Sequence, residues 1–406
     1  MAVEIVSKRL LFAIICSVSL SLSATSSVKA ESREVAQSQY TSSLQNMDLK
    51  PYIEGYAELA YRNYRDSREQ AVAMRKAIAT FLNQPNKNTH KAAQQAWIQA
   101  RQSYLQTEAF RFYEGPIDFI DPNTGEEGPE GRINAWPMNE AFIDYVRGKP
   151  NGGLINNPSF EVSIENILTN DQVSDEADVT TGWHAIEFLL WGQDFNSQGP
   201  GQRSFQDFIP NQDNNNRRRD YLKLVTDQLI EDLMFLEEEW KPNSNNYRAD
   251  FIKSDPKATI GKIFTSLATL SAFEMASERM AVALDSGNQE DEHSCFSDTT
   301  YQDFVFNAQG IYNVYLSQYE GYNGRGFDQL LARLNPALNQ KMMAALNETK
   351  TAISQINQPF DQVLASSAKS PEREEVEAAI KALEDQAEVF QELGEVLGVE
   401  VEILAE

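Results

Sequence analysis

The chain has 406 residues, with 35 Lys and Arg, 60 Asp and Glu, three His and two Cys, and a formal net charge of -25. An acidic chain of pI ≈ 4.6 lacks the clustered positive charge that nucleic-acid phosphates require. Two cysteines cannot build a disulfide scaffold or a Cys-rich zinc module, and three histidines exclude a His-rich site. Hydrophobic residues at 41% and charged residues at 23% are the composition of a globular protein with length for about two to three domains.

The first 30 residues read as an export signal. Lys8 and Arg9 form a basic start, residues 10–22 a short apolar run, and Val28-Lys29-Ala30 a small-x-small cleavage site. The run is too short to cross about 30 Å of hydrocarbon, which takes roughly 20 apolar residues. A lipoprotein anchor at Cys16 is disfavoured because Ile15 stands where a small residue belongs. Cleavage removes Lys8, Arg9, Lys29 and Glu4, leaving 32 bases and 59 acids, a net charge of -27, and Cys295 as the only thiol. The expected location is the periplasm or the outer face of the cytoplasmic membrane.

The remainder reads as all-α. One helix is expected from about Asp48 to Leu82, with Pro51 in its first turn, where a missing N–H costs little. Asn83-Gln84-Pro85-Asn86 ends it, and a second pattern runs from about Thr89 to Tyr113. The Gly-, Pro- and Asn-rich stretch 115–157 is too long for a bare connector and is expected to carry short helices such as Glu140–Val146. A helix follows at about Thr181–Trp191. Gly199-Pro200-Gly201 and the Asn-rich run 211–216 mark a candidate boundary near 205. Further helices are expected at about 217–240, 256–284, 298–319, 327–356 and 371–397. The last is acidic on one side and apolar along Val376, Ile380, Leu383, Ala387, Phe390 and Leu397, which reads as a solvated face opposite a buried one. With no β alternation and no internal repeat, the expected architecture is two antiparallel, four-helix-bundle-like domains, 31–205 and 206–406, after the signal 1–30, with a metal-site candidate between them.

The segment 182–191 is the most informative. Between Trp183 and Trp191 only His184 and Glu187 are ionisable, and a helix that is apolar all round is buried. The two residues are i and i+3, on one face. A buried imidazole beside a buried carboxylate is paired, neutralised or bound to a cation; the choice between a metal site and a satisfied core pair stays open on these residues alone. Two other apolar stripes end in charge: Trp97, Ala100, Tyr104, Glu108, Arg111 and Ile263, Leu267, Leu270, Glu274, Glu278. The run 290–298 sets His293 among acids beside Cys295. There Ser297 or Asp298 either caps the next helix or faces His184 and Glu187 across the two halves. Oxygen-rich ligands with one imidazole suit iron, manganese, calcium or zinc. A His-Glu-x-x-His zinc motif, a phosphate loop and a nucleophile elbow are absent.

Gly182-x-His184-x-x-Glu187, with Trp97, Arg101, Tyr104, Glu108, then Gly115-Pro116-Ile117-Asp118 and the 290–298 string, resembles the signature stretches of the imelysin family over roughly residues 45–400. The resemblance implies two related four-helix bundles, an envelope location and a role in iron acquisition, with an inner-membrane iron permease as partner. It carries His184 and Glu187 over as metal ligands, with Glu108, Asp118 and Glu278 as further acidic positions. Where related iron-uptake proteins carry a second Glu, this chain has Arg111. Arg111, His293, Ser297 and Asp298 are then expected around the ligands or along the cleft. Three functions follow: a binding protein for iron or another divalent metal such as zinc, a metal-dependent peptidase using His184 and Glu187, or a non-metal ligand-binding or structural scaffold in which that pair is only core.

Overall fold

Pro51 sits in the first turn of helix α1, Lys50–Asn83, as its missing N–H requires. The computed structural model describes residues 47–196 and 199–404; the expected export signal lies outside them. The turn after α1 is closed by Asn86, whose side chain accepts from the Asn88 and Thr89 amides while Thr89 Oγ1 accepts from the Asn86 amide. This capping box starts α2, Lys87–Leu105, and the short connection folds α2 back on α1. The helix α3, Gly182–Trp191, is buried at every position. With α4, Asn215–Trp240, these helices form one packed group; α4 lies beyond residue 205, yet rests on α1 and α3.

A second group is built from α5, Pro256–Thr269, α6, Thr300–Leu316, α7, Phe327–Leu334, α8, Pro336–Gln355, and α9, Pro371–Leu397. The break between α7 and α8 falls where one helix was expected. Pro336 cannot continue a helix interior, and Asn335 caps the new start by accepting from the Leu338 amide at 3.1 Å. On α9, Val376, Ala379, Leu383, Ala387, Phe390 and Leu397 are buried, while Glu374, Glu377, Glu384, Glu388 and Glu395 are exposed; Ile380, expected on the buried stripe, is only half-buried, and Ala379 takes the inward position. The only strands among the described residues are the two-residue hairpin arms Gln318–Tyr319 and Tyr322–Asn323. The fold is all-α.

Two departures from regular helix shape the centre. The expected helix to Tyr113 stops being α-helical at Leu105 and tightens into a 3₁₀ turn, Gln106–Phe110. Here α6 crosses closely: a Cβ on Gly310 would stand 2.6 Å from the Gln106 carbonyl oxygen, and Asn307 Nδ2 donates to the Leu105 carbonyl at 2.8 Å. Secondly, α5 runs on as a π-helix, Leu270–Ala281, before a last α turn, Val282–Ser286. In π geometry residues five apart stand over each other, and Arg279 Nη2 donates to Glu274 Oε1 at 2.6 Å.

Candidate functional site

A buried polar cluster lies where α2 and α3 meet α6, the π-helix and the 289–299 loop. Its anchor is Arg101 on α2, one turn after Trp97. Trp97 Nε1 donates to the Trp183 carbonyl at 3.0 Å and ties α2 to α3. His90, the third histidine, does the same further along, with Nε2 2.8 Å from the Leu190 carbonyl. Gly182 sets the start of α3. Its φ is +83°, and a Cβ would come within 2.5 Å of the Ile133 carbonyl, so only glycine allows α3 to abut the short helix Glu130–Asn134.

His184 Nδ1 lies 2.9 Å from Glu187 Oε2. The other carboxylate oxygen, Glu187 Oε1, accepts from the Ser297 amide at 2.9 Å and its hydroxyl at 2.6 Å. Arg101 Nη2 stands 3.2 Å from His184 Nε2 and 3.3 Å from His293 Nδ1. Its Nε donates to Asp303 Oδ1 at 3.3 Å and its Nη1 to Asn134 Oδ1 at 2.9 Å. His293 Nδ1 lies 2.7 Å from Asp303 Oδ2. The two imidazoles meet edge to face, 4.8 Å between centroids.

Burial, then the Arg101 guanidinium and competition with the neighbouring His293 imidazole for a proton, hold His184 well below the usual histidine range. Burial, then Arg279 and Arg101, does the same to His293. Burial pushes Glu187 up to about 8, against the pull of the Ser297 hydrogen bonds and Arg101. Glu108 has the opposite balance. Burial would raise it, but Arg111 and Arg279 outweigh that and hold it at about 2; both donate to its Oε2, at 2.7 and 2.8 Å.

Beside this cluster opens a cleft of about 410 Å³, lined by Glu130, Glu176, Glu274, Glu278, Asp291 and His293 among others. Arg111, Arg279 and Trp136 also line it.

The sequence model of imelysin matches residues 60–390. The chain belongs to the imelysin family. This imelysin is 23% identical over 347 residues to the Iron-regulated protein A of Synechococcus elongatus, covering 83% of this chain and 84% of the relative. Two solved structures share its fold. One, provisionally named an iron-regulated protein A precursor, comes from Parabacteroides distasonis (TM-score 0.64, 18% identity, 86% of this chain and 94% of the other). The second, an imelysin-like protein from Psychrobacter arcticum, has a TM-score of 0.61 at 14% identity and covers 88% and 98%.

Of the expected residues, the imelysin fold brings His184, Glu187, His293 and Ser297 together. Asn134 links them to Glu108, whose Oε1 lies 3.5 Å from Asn134 Nδ2, and so to Arg111. Glu278 is exposed on the cleft wall. Asp298 follows Ser297 and is half-buried. Asp118 is occupied locally: it accepts from the Phe112 amide and, at 2.6 Å, from the Gly115 amide.

These contacts test the expected ligand set. The point on which His184 and His293 converge is held by a guanidinium, itself a cation. Glu108 is saturated by two arginines, and Glu187 by His184 and Ser297. Among the described residues no three His, Cys, Asp or Glu side chains share one ion position. A resident metal held by His184, Glu187 and Glu108 does not fit this arrangement. The central residue that ligand reasoning passed over is Arg101. Its signal was an arginine four residues after Trp97 on a face that the aromatic stripe marks as buried.

Proposed function

We propose that this imelysin is an exported binding protein of iron acquisition that takes iron as cargo at the acidic cleft and passes it to a membrane permease. The observation that carries the reading is the cleft wall of Glu130, Glu176, Glu274, Glu278 and Asp291 beside His293. Their hard oxygen donors suit iron, and they outnumber the two cleft arginines, so the field favours a cation. The likeness to a relative named for iron regulation supports the same reading. His184 and Glu187 act here from behind the cleft: through Arg101 they fix His293. No helix of the described residues is long and apolar enough to cross a membrane.

Binding is preferred to peptide hydrolysis because Glu187, the base such a reaction would use, is 0% exposed and does not line the cleft. A general base must reach the water or proton it activates.

The test is iron bound at equilibrium to chelator-stripped residues 31–406, read by atomic emission, with zinc as competitor. About one iron per chain is expected. Glu278→Gln combined with Asp291→Asn should weaken binding about tenfold or more, since ligand charge sets affinity in carboxylate sites. Negligible iron on the unaltered chain, or unchanged binding in the variant, overturns the reading.

A further inference from the structure

Half of the buried carboxylates among the described residues are answered by arginine. Glu108 has Arg111 and Arg279, Asp144 has Arg203 and Arg218, Asp232 has Arg132, Glu237 has Arg68, and Asp303 has Arg101. A second set has no such answer. Asp194, Glu292 and Asp361 are 3%, 0% and 5% exposed, Asp298 is half-buried, and among the described residues none of the four makes an ion pair with Lys, Arg or His.

They gather from three places in the chain. Asp194 follows the end of α3, Glu292 and Asp298 stand on the loop before α6, and Asp361 belongs to the short helix Phe360–Leu364. Both carboxylate oxygens of Glu292, and both of Asp298, lack any hydrogen-bond partner. The Thr300 hydroxyl lies beside Glu292 without completing a bond to it. Asp194 accepts from Gln289 Nε2 at 2.5 Å and the Asn196 amide at 2.7 Å, both neutral, and its carboxyl stands beside that of Asp298. Asp361 keeps the Gln362 amide at 2.7 Å.

The four acids also feel one another. Burial first, then Asp361, Asp298 and Asp194, drives Glu292 well up; burial and then Asp194 carry Asp298 to about 8. Buried polar groups are almost always satisfied, and a fully buried carboxylate with two empty oxygens needs a proton or a cation. Four carboxylates without imidazole or thiolate are the donor set of a hard cation, and the flexible, many-oxygen coordination of calcium suits side chains gathered from three segments.

We propose that Asp194, Glu292, Asp298 and Asp361 bind one divalent cation of the calcium type. Without the ion no three of these carboxylates share one ion position. Unlike Glu108 and Glu187, which arginine, histidine and serine already saturate, Glu292 and Asp298 have empty oxygens, so the ion draws them in and fastens the end of α3 to the loop before α6 and to the helix Phe360–Leu364. Ser297, the residue that holds Glu187, sits on that loop, so the cation steadies the back of the polar cluster. The iron reading above concerns a different set of acids, and neither depends on the other.

The test uses chelator-stripped residues 31–406 and calcium alone, by titration calorimetry and thermal melting. One calcium per chain and a higher Tm are expected. Asp298→Asn with Asp361→Asn should bind about tenfold or more weakly, and its metal-free Tm should exceed that of the unaltered chain because repulsion is relieved. Glu292→Gln, which keeps the buried shape, should also lose the calcium-dependent rise in Tm and decides the matter if the double variant does not fold. Glu278→Gln with Asp291→Asn, the cleft variant, should bind calcium normally. No calcium heat and no Tm rise in the unaltered chain, or undiminished binding in Glu292→Gln, overturns the proposal.

Discussion

Arg101 Nη2 stands 3.2 Å from His184 Nε2, so the histidine of the Gly-x-His-x-x-Glu motif faces a guanidinium and not open space. The same guanidinium satisfies Asp303, whose side chain is 1% exposed. Arg101→Met therefore strands a buried charge, a change that costs about 3 to 5 kcal/mol. Urea unfolding should record the loss. The His184 pKa should rise in the variant, since after burial Arg101 is the main influence that lowers it. An NMR titration with an unmoved His184 would show that the pairing is not electrostatically felt.

The proton of the His184–Glu187 pair has two homes. With Glu187 ionised, His184 carries its proton on Nδ1, donates it to Oε2 and accepts from Arg101 at Nε2. With Glu187 protonated, the carboxyl donates to Nδ1, and the His184 proton moves to Nε2, against Arg101. Because Glu187 titrates at about 8, ¹⁵N shifts of the His184 ring should switch tautomer near that pH while the ring stays neutral. Stability should change in step. The folded carboxyl keeps a proton that the unfolded one, at the ordinary 4.5, has lost, so stability falls as pH rises from 4.5 to 8. Below 6.5 the depressed histidines oppose this, because their contribution is lost as pH falls. The clear window is pH 6.5 to 8, where the Glu187 slope reaches at most about 1.4 kcal/mol per pH unit. Glu187→Gln should flatten the thermal-melting profile there. It should not abolish the slope, since Glu290 and Asp298 are also carried to about 8.

Arg279→Met should expose the opposite sign at low pH. Glu108 is held at about 2, so its contribution is complete above 4.5 and disappears as pH falls through 2. Without Arg279, Glu108 retains Arg111 alone and its pKa rises. The acid-unfolding midpoint should therefore move to higher pH, and stability at neutral pH should drop by about 3 kcal/mol. An unchanged acid midpoint would mean that Arg111 suffices.

Sequence periodicity located this chemistry unevenly. The helices α1, α3, α4 and α9 were legible because their apolar stripes, caps and prolines agree with one another, and an apolar stretch with two ionisable residues could only be core. The stripe Ile263, Leu267, Leu270, Glu274, Glu278 assumed 3.6 residues per turn. The π-helix changes the winding after Leu270, so the residue that meets Glu274 is Arg279, five beyond it, while Glu278 is exposed. Spacing alone carries no sign of that change. Nor could it reveal that the charges on these faces neutralise one another, since Arg101 meets Asp303 202 residues away and Arg279 meets Glu108 171 residues away.

The glycine of the motif offers a last test, one that separates backbone placement from side-chain chemistry. Its φ is +83°, and an added Cβ would stand 2.5 Å from the Ile133 carbonyl oxygen. Gly182→Ala therefore combines a left-handed strain of about 1 to 3 kcal/mol with a backbone clash. The strained peptide borders the helix Glu130–Asn134, and Asn134 Oδ1 accepts from Arg101 Nη1 at 2.9 Å. Relief of the clash should shift Asn134, loosen Arg101 and alter the His184 ring resonances. Gly192→Ala is the control. Its φ is +70°, so it too is strained, but the nearest neighbour of an added Cβ is the Arg203 side chain at 3.3 Å, outside the cluster. Both variants should lose stability in urea, and only Gly182→Ala should move the His184 signals. If the two perturb His184 equally, the glycine serves the start of α3 alone and the link from Gly182 through Asn134 to Arg101 fails.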